Sequence, residues 1–73
     1  MTWEDLHIGD FISLKGSVFR VVYKNDDIFH CICMYSNNQF HIVGCTDWAK
    51  KNSICLFKKL AQKEINKIKA ELL

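Results

Sequence analysis

Proline is missing from this 73-residue chain, arginine occurs once against nine lysines, and glycine occurs three times. With frequent asparagine and isoleucine, that bias is typical of an AT-rich genome, so a phage or Gram-positive bacterial origin is expected. No apolar run approaches the ~18 residues a membrane span needs. The opening Met-Thr-Trp-Glu-Asp is acidic and lacks the basic and apolar regions of a signal peptide. A cytoplasmic protein without a membrane partner is therefore expected, its four cysteines reduced. There is no Gly-rich phosphate loop, no Ser-centred elbow and no carboxylate pair placed for acid–base work. Those absences argue against an enzyme and against a bound cofactor. Repeats, low-complexity tracts and linkers are missing too, so residues 1–73 read as a single domain.

A domain this small buries only ~60% of the surface its unfolded chain exposes, which leaves room for one apolar layer and no deep substrate cavity. The composition, 49% hydrophobic and 25% charged, is that of an ordinary globular protein. Charge is divided unevenly. Residues 1–47 carry a net −3 and residues 48–73 a net +5, and an acidic body with a basic tail points to a charged partner.

Thr2 is placed to cap a short first turn, with Asp5 three residues on and Trp3 and Leu6 folding the turn onto the core. Gly9-Asp10 leads into an apolar strand, Phe11 to Lys15. A turn at Gly16-Ser17 then leads into a β-branched and aromatic strand, Val18 to Lys24. Asn25-Asp26-Asp27 is a turn signal, and Ile28 to Tyr35 continues as a long strand. Ser36 to Gln39 reads as a tight hairpin turn centred on Asn37-Asn38, returning through a fourth strand from Phe40 to Cys45. Thr46 to Ser53 reads as a connecting loop or single helical turn. Ile54 to Phe57 fits either a fifth, barrel-closing strand or the start of the last helix. Over residues 58–73, Leu60, Ala61, Ile65, Ile68 and Leu72 recur at helical spacing, with Lys59, Lys63 and Lys67 on the other side. The fold class is mostly β with a C-terminal helix (α+β): a small antiparallel five-stranded barrel-like meander over about 6–57, plus one basic amphipathic helix.

The hairpin turn fixes which residues share a face. Phe29, Cys31, Cys33, Tyr35, Phe40 and Ile42 fall on one, and Ile28, His30, Ile32, Met34, His41, Val43 and Cys45 on the other. Both faces are largely apolar, so the second is expected to be covered by the C-terminal helix, a partner or a second copy.

His30, Cys31, Cys33, His41 and Cys45 lie close enough in sequence to raise zinc. Four ligands must converge within about 2.3 Å of one point, commonly from Cys-x-x-Cys knuckles. Here Cys-x-Cys within a strand spaces its thiols ~6.7 Å apart, His30 points to the other face, and His41 and Cys45 sit ~13 Å apart. That geometry argues for reduced core cysteines and against a metal. Thiol catalysis needs a lowered pKa and a nearby base; only His30 opposite Cys45 across the hairpin would offer the pairing.

Two surfaces remain. Lys50, Lys51, Lys59, Lys63 and Lys67 form a basic stripe able to track a phosphate backbone. With no arginine in the tail and Trp48 its only nearby stacking residue, any nucleic-acid binding would be weakly sequence-specific; a solvated lysine face is an equal reading. Trp48, Tyr35, Met34 and His41 are the candidate anchors of a protein interface; for Trp3, Tyr23, Tyr35 and Trp48 alike, periodicity leaves both an exposed anchor and a core-edge residue open.

The run carried by Leu6, Gly9-Asp10, Phe11, Ile12, Leu14, Gly16, Phe19, Val21 and Val22, with the hairpin after it, resembles a Src-homology-3-like small barrel of the KOW and Tudor type. The resemblance spans roughly residues 6–57 and implies a binding module for nucleic acid or for peptide and protein surfaces, with no catalytic residues. The leading expectation is a small non-enzymatic protein that docks onto and occludes a macromolecular partner such as a host or defence protein. The alternative is a nucleic-acid-binding module using the lysine stripe, and homodimerisation is compatible with both.

Overall fold

The computed structural model of the chain describes residues 1–36 and 41–72. Five strands, β1 (Phe11–Leu14), β2 (Ser17–Lys24), β3 (Ile28–Tyr35), β4 (Thr46–Lys50) and β5 (Lys58–Lys59), form one antiparallel sheet in the order β4-β3-β2-β1-β5. A 3-10 helix, Lys51–Leu56, joins β4 to β5, and helix α1 (Gln62–Leu72) follows. Among the described residues β4 pairs only with β3 and β5 only with β1, so the sheet keeps two free edges and is not closed into a barrel. The β-rich class with one C-terminal helix is as the sequence predicts.

Local chemistry sets the turns. Lys15 and Gly16, at φ 49° and 82°, connect β1 to β2, and two successive positive φ values define a type I′ turn, whose twist suits a two-residue hairpin. Between β2 and β3, the Asn25 side-chain oxygen accepts hydrogen bonds from the Asp27 and Ile28 amides at 2.8 and 2.9 Å. That is the Asx geometry expected of Asn-Asp-Asp. At the N-terminus the Thr2 hydroxyl donates to the Asp5 carboxylate at 2.8 Å and the Asp5 amide to the Thr2 carbonyl at 3.2 Å, the predicted first turn.

The inner face of the sheet carries Ile12, Phe19, Val21, Phe29, Cys31 and Cys33, all buried. Trp3 and Leu6 pack on it from the N-terminal turn, and Ile54 and Phe57 from the segment after β4. The rings interlock edge to face: Phe29 and Phe57 lie 5.3 Å apart, Phe19 and Phe57 6.4 Å. Lys24 ties down the first turn by donating from Nζ to the carbonyls of Trp3 (2.6 Å) and Leu6 (2.9 Å), with the ammonium 4.8 Å from the Trp3 ring centre.

On the outer face a second, smaller cluster joins α1 to the sheet: Val18, Leu60 and Ile65, with Phe11, Tyr35 and Ile68 against them. Tyr35 reaches it because the β2–β3 register shifts between Val18 and Phe19, pairing Val18 with Tyr35 but Phe19 with Cys33. The helix therefore packs on Val18 and Tyr35, and Tyr35 lies on the outer face where simple alternation had put it on the other. Of the residues expected under a cover (Ile28, His30, Ile32, Met34, His41, Val43 and Cys45), none belongs to this cluster, and Val22, Tyr23 and Met34 are exposed.

Three expectations need correction. The Asn37-Asn38 turn and Phe40 fall outside the described residues, but His41–Cys45 is not a strand. It contains a turn in which the Cys45 amide bonds to the Ile42 carbonyl at 3.1 Å, with Gly44 at φ 89°. The fourth strand is instead Thr46–Lys50, within the expected loop, and it sets His30 opposite Trp48 and not opposite Cys45. Ile54–Phe57 is neither a strand nor the start of the helix, since Ile54 to Leu56 complete the 3-10 helix. Finally, α1 begins at Gln62, so Lys59 lies in β5 and not on the helix.

Candidate functional site

Between β4 and the segment that follows it, the inner face of the sheet opens to solvent as a groove of about 390 Å³. Its floor is Phe19, Phe57 and Cys31, all core side chains, and Leu14 and His41 stand at its sides. Trp48 and Leu56 line it too, and at 61% and 65% exposed they rank among the most solvent-accessible large apolar residues of the chain. Isolated exposed apolar residues are ordinary; here two of them line one apolar-floored groove.

The local periodicities explain the groove. In a 3-10 helix side chains three apart lie on one face. Ile54 and Phe57 therefore turn inward, and Leu56 and Cys55 are left outside. On β4, alternation puts Asp47 and Ala49, opposite buried Cys31 and Phe29, on the inner face, and Trp48, opposite His30, on the outer. Trp48 thus stands on the strand at the rim.

His41 is fixed in place. Its Nδ1 and the Oγ of buried Ser17 are hydrogen-bonded at 2.7 Å, and its ring meets Phe19 edge-on at 5.1 Å. Ser17 Oγ also donates to Ser36 Oγ at 3.2 Å, so this buried hydroxyl is satisfied.

The buried thiols of the inner face are poor nucleophiles at neutral pH. Burial, then the nearby Asp47 carboxylate, then Cys33 push the Cys31 thiol from an ordinary 9.0 up to about 12, and burial also raises Cys33. Both thiols stay protonated at neutral pH. Among the described residues no group of three His, Cys, Asp or Glu is placed to hold a metal ion. No helix among them is long and apolar enough to cross a membrane.

The predicted interface residues separate. Trp48 and His41 meet on the groove. Met34 lies on the outer face beside a shallower depression of about 260 Å³ with Ile8, Val22 and Arg20. Tyr35 is half-buried against the cluster beneath α1.

The predicted lysine stripe separates as well. Lys50 and Lys51 border a cleft of about 600 Å³, beside Trp3 and Asp27 at one end of the sheet. Its apolar walls are the buried Trp3 and Ile54 and the partly exposed Ile28. Lys59 is held by the Asp10 carboxylate at 3.3 Å and the Asp5 carbonyl at 3.0 Å. Lys63 and Lys67 lie exposed on α1, while neighbouring Lys58 pairs with Glu64 at 3.4 Å.

Leu56 was not among the residues the sequence singled out, and Leu14 entered only as part of the barrel-like pattern and not as a site residue. The signal for Leu56 was the three-residue spacing of Ile54 and Phe57, legible only once a 3-10 turn is assumed. Compared with family models, curated proteins and solved structures, the chain matches none.

Proposed function

We propose that this chain is a non-catalytic binding protein that docks onto a protein partner through the groove beside β4, covering the surface it engages. The observation that carries this reading is the pair Trp48 and Leu56, both largely exposed, on a groove whose floor is the hydrophobic core itself. An aromatic anchor beside an apolar pocket that a partner's side chain desolvates is the usual composition of an interface hot spot. Nucleic-acid binding has less support, because Lys59 is neutralised locally and Lys50 and Lys51 lie apart from the helical pair Lys63 and Lys67.

The finer architecture in this reading is a small barrel of the Src-homology-3-like kind. Support comes from β1, which bonds to β2 on one side and to the last strand on the other, and from the irregularities between β2 and β3 that bend the sheet.

The test is affinity capture from a lysate of the native host, with and without nuclease, using the parent chain, Trp48→Ala, Leu56→Ala and the double charge reversal Lys63→Glu/Lys67→Glu. A protein retained after nuclease, lost on truncating Trp48 or Leu56 and kept on charge reversal is the expected result. Recovery that vanishes with nuclease or with charge reversal overturns the reading in favour of the basic helix.

A further inference from the structure

The groove runs along the one side of β4 that has no strand beside it. Parity along the β3–β4 ladder says which backbone groups face that side. The Cys33 amide bonds to the Cys45 carbonyl at 3.0 Å and the Lys51 amide to the Asp27 carbonyl at 2.8 Å. In an antiparallel ladder every second residue bonds inward, so Cys45, Asp47, Ala49 and Lys51 face β3. The amides and carbonyls of Thr46, Trp48 and Lys50 face outward, where among the described residues no strand meets them. Exposed edges of this kind are templates for pairing with a further strand.

Resting on the docking role proposed above, we infer that the partner engages as an extended peptide segment that adds antiparallel to β4 as a sixth strand. About five of its residues span Thr46 to Lys50 at ~3.3 Å each. Its alternate side chains enter the groove over Phe19 and Phe57, and the geometry calls for large apolar residues there. The intervening side chains lie on the outer face beside Trp48. Lys50 and Lys51 stand at the C-terminal end of β4, and among the described residues neither is ion-paired. Asp47 lies nearer the other end. An antiparallel strand brings its N-terminal residues beside the lysines, so the segment recognised carries acidic residues before its apolar ones. Backbone bonds supply affinity in this mode, and the alternating pockets supply selectivity.

A second copy of the chain fits the same edge less well. An antiparallel β4–β4 pairing centred on Trp48 sets Asp47 opposite Ala49 of the other copy. It would bring a carboxylate and a methyl group, not large apolar side chains, to the groove side, and add a second Asp47 carboxylate beside the first.

The experiment is selection of displayed twelve-residue peptides on the immobilised full chain, using a library with random residues at every position. The enriched peptide is then synthesised in its parent form and in two N-methylated forms, each blocking one set of alternate amides. The expected outcome is enrichment of acidic residues followed by alternating large apolar ones. One of the two methylated forms should lose at least tenfold in affinity and the other little. In the ¹⁵N-labelled protein, the amides of Thr46, Trp48 and Lys50 should exchange with solvent at least tenfold more slowly when the parent peptide is bound. Thr46→Pro removes one outward donor and spares the β3 ladder, so it should weaken the peptide with the circular dichroism unchanged. If that variant fails to fold, the methylated peptides on the unaltered chain decide the matter. Equal binding of all three peptides, lost on Trp48→Ala, overturns strand addition and leaves groove docking standing. No enrichment, or a concentration-dependent dimer that protects the same amides, overturns strand addition in favour of other contacts.

Discussion

Lys24 helps hold the N-terminal turn on the sheet. Its ammonium bonds to two carbonyls and faces an indole, and hydrogen bonds from a charged donor contribute about 1.5–3 kcal/mol. Lys24→Met keeps the stem and removes those bonds. It should lower the unfolding free energy by about 2 kcal/mol in a urea titration and speed amide exchange at Asp5 and Leu6. The thiols offer a second residue-scale test. Cys45 and Cys55 are exposed, Cys31 and Cys33 buried, so a thiol reagent should modify the first pair under native conditions and the second only on unfolding. The raised Cys31 pKa also has a sign. Below an ordinary 9.0 both folded and unfolded chains hold the proton, and the contribution to stability is complete. Above 9.0 the unfolded thiol ionises while the folded one resists up to about 12, so stability falls as the pH rises through that window. Urea midpoints between about pH 8 and about pH 10.5 should decline less steeply in Cys31→Ala than in the parent chain.

At the scale of elements, the helix is held by a small contact. Ile65 is its buried side chain in the cluster with Val18 and Leu60, and Ile65→Ala should cost about 2–3 kcal/mol, the lower part of the range for core truncations. Charge reversal at Lys63 or Lys67, both exposed, should stay within about 0.5 kcal/mol. Thermal or urea unfolding checks both. Elements also show where the sequence was legible. The first three strands, their two turns and the final helix follow from turn residues and apolar spacing, because Phe11 to Tyr35 combines alternation with strong turn formers. The fourth strand does not, because β4 is an edge. Its sequence, Thr-Asp-Trp-Ala-Lys, is polar where a central strand would be apolar, and charged edges are how sheets guard against unwanted pairing. The more apolar His41 to Cys45 attracted the assignment, yet Gly44 at positive φ turns that stretch. The groove was hidden for the same reason: of its residues only Trp48 and His41 carried a signal by type, and their meeting depends on where β4 lies. Helical spacing in the sequence runs back over Lys59, but pairing with β1 places that residue in a strand, while Lys63 and Lys67 stay on the helix.

For the whole molecule the central quantity is how little core there is to lose. At roughly 0.05–0.15 kcal/mol per residue a domain of this length has about 4–11 kcal/mol of stability. Phe29 is fully buried, packs tilted against Trp3 and edge-on against Phe57, and its truncation to alanine should cost about 3–5 kcal/mol. Phe29→Ala is expected to be largely unfolded at 37 °C by circular dichroism, whereas Trp48→Ala, at an exposed site, should melt within a few degrees of the parent chain. The eight-residue strands β2 and β3 pair along nearly their whole length, but β5 meets β1 over two residues, Ile12 with Lys59 and Ser13 with Lys58. That short ladder and the small cluster under α1 are what fasten the C-terminal arm. Local opening requires far less free energy there than at the centre of the sheet, and the segment that opens is rich in lysine. A trace of trypsin on the native protein should therefore cut first between Lys58 and Lys67, shedding the arm as a short fragment while residues 1–57 are cleaved only later.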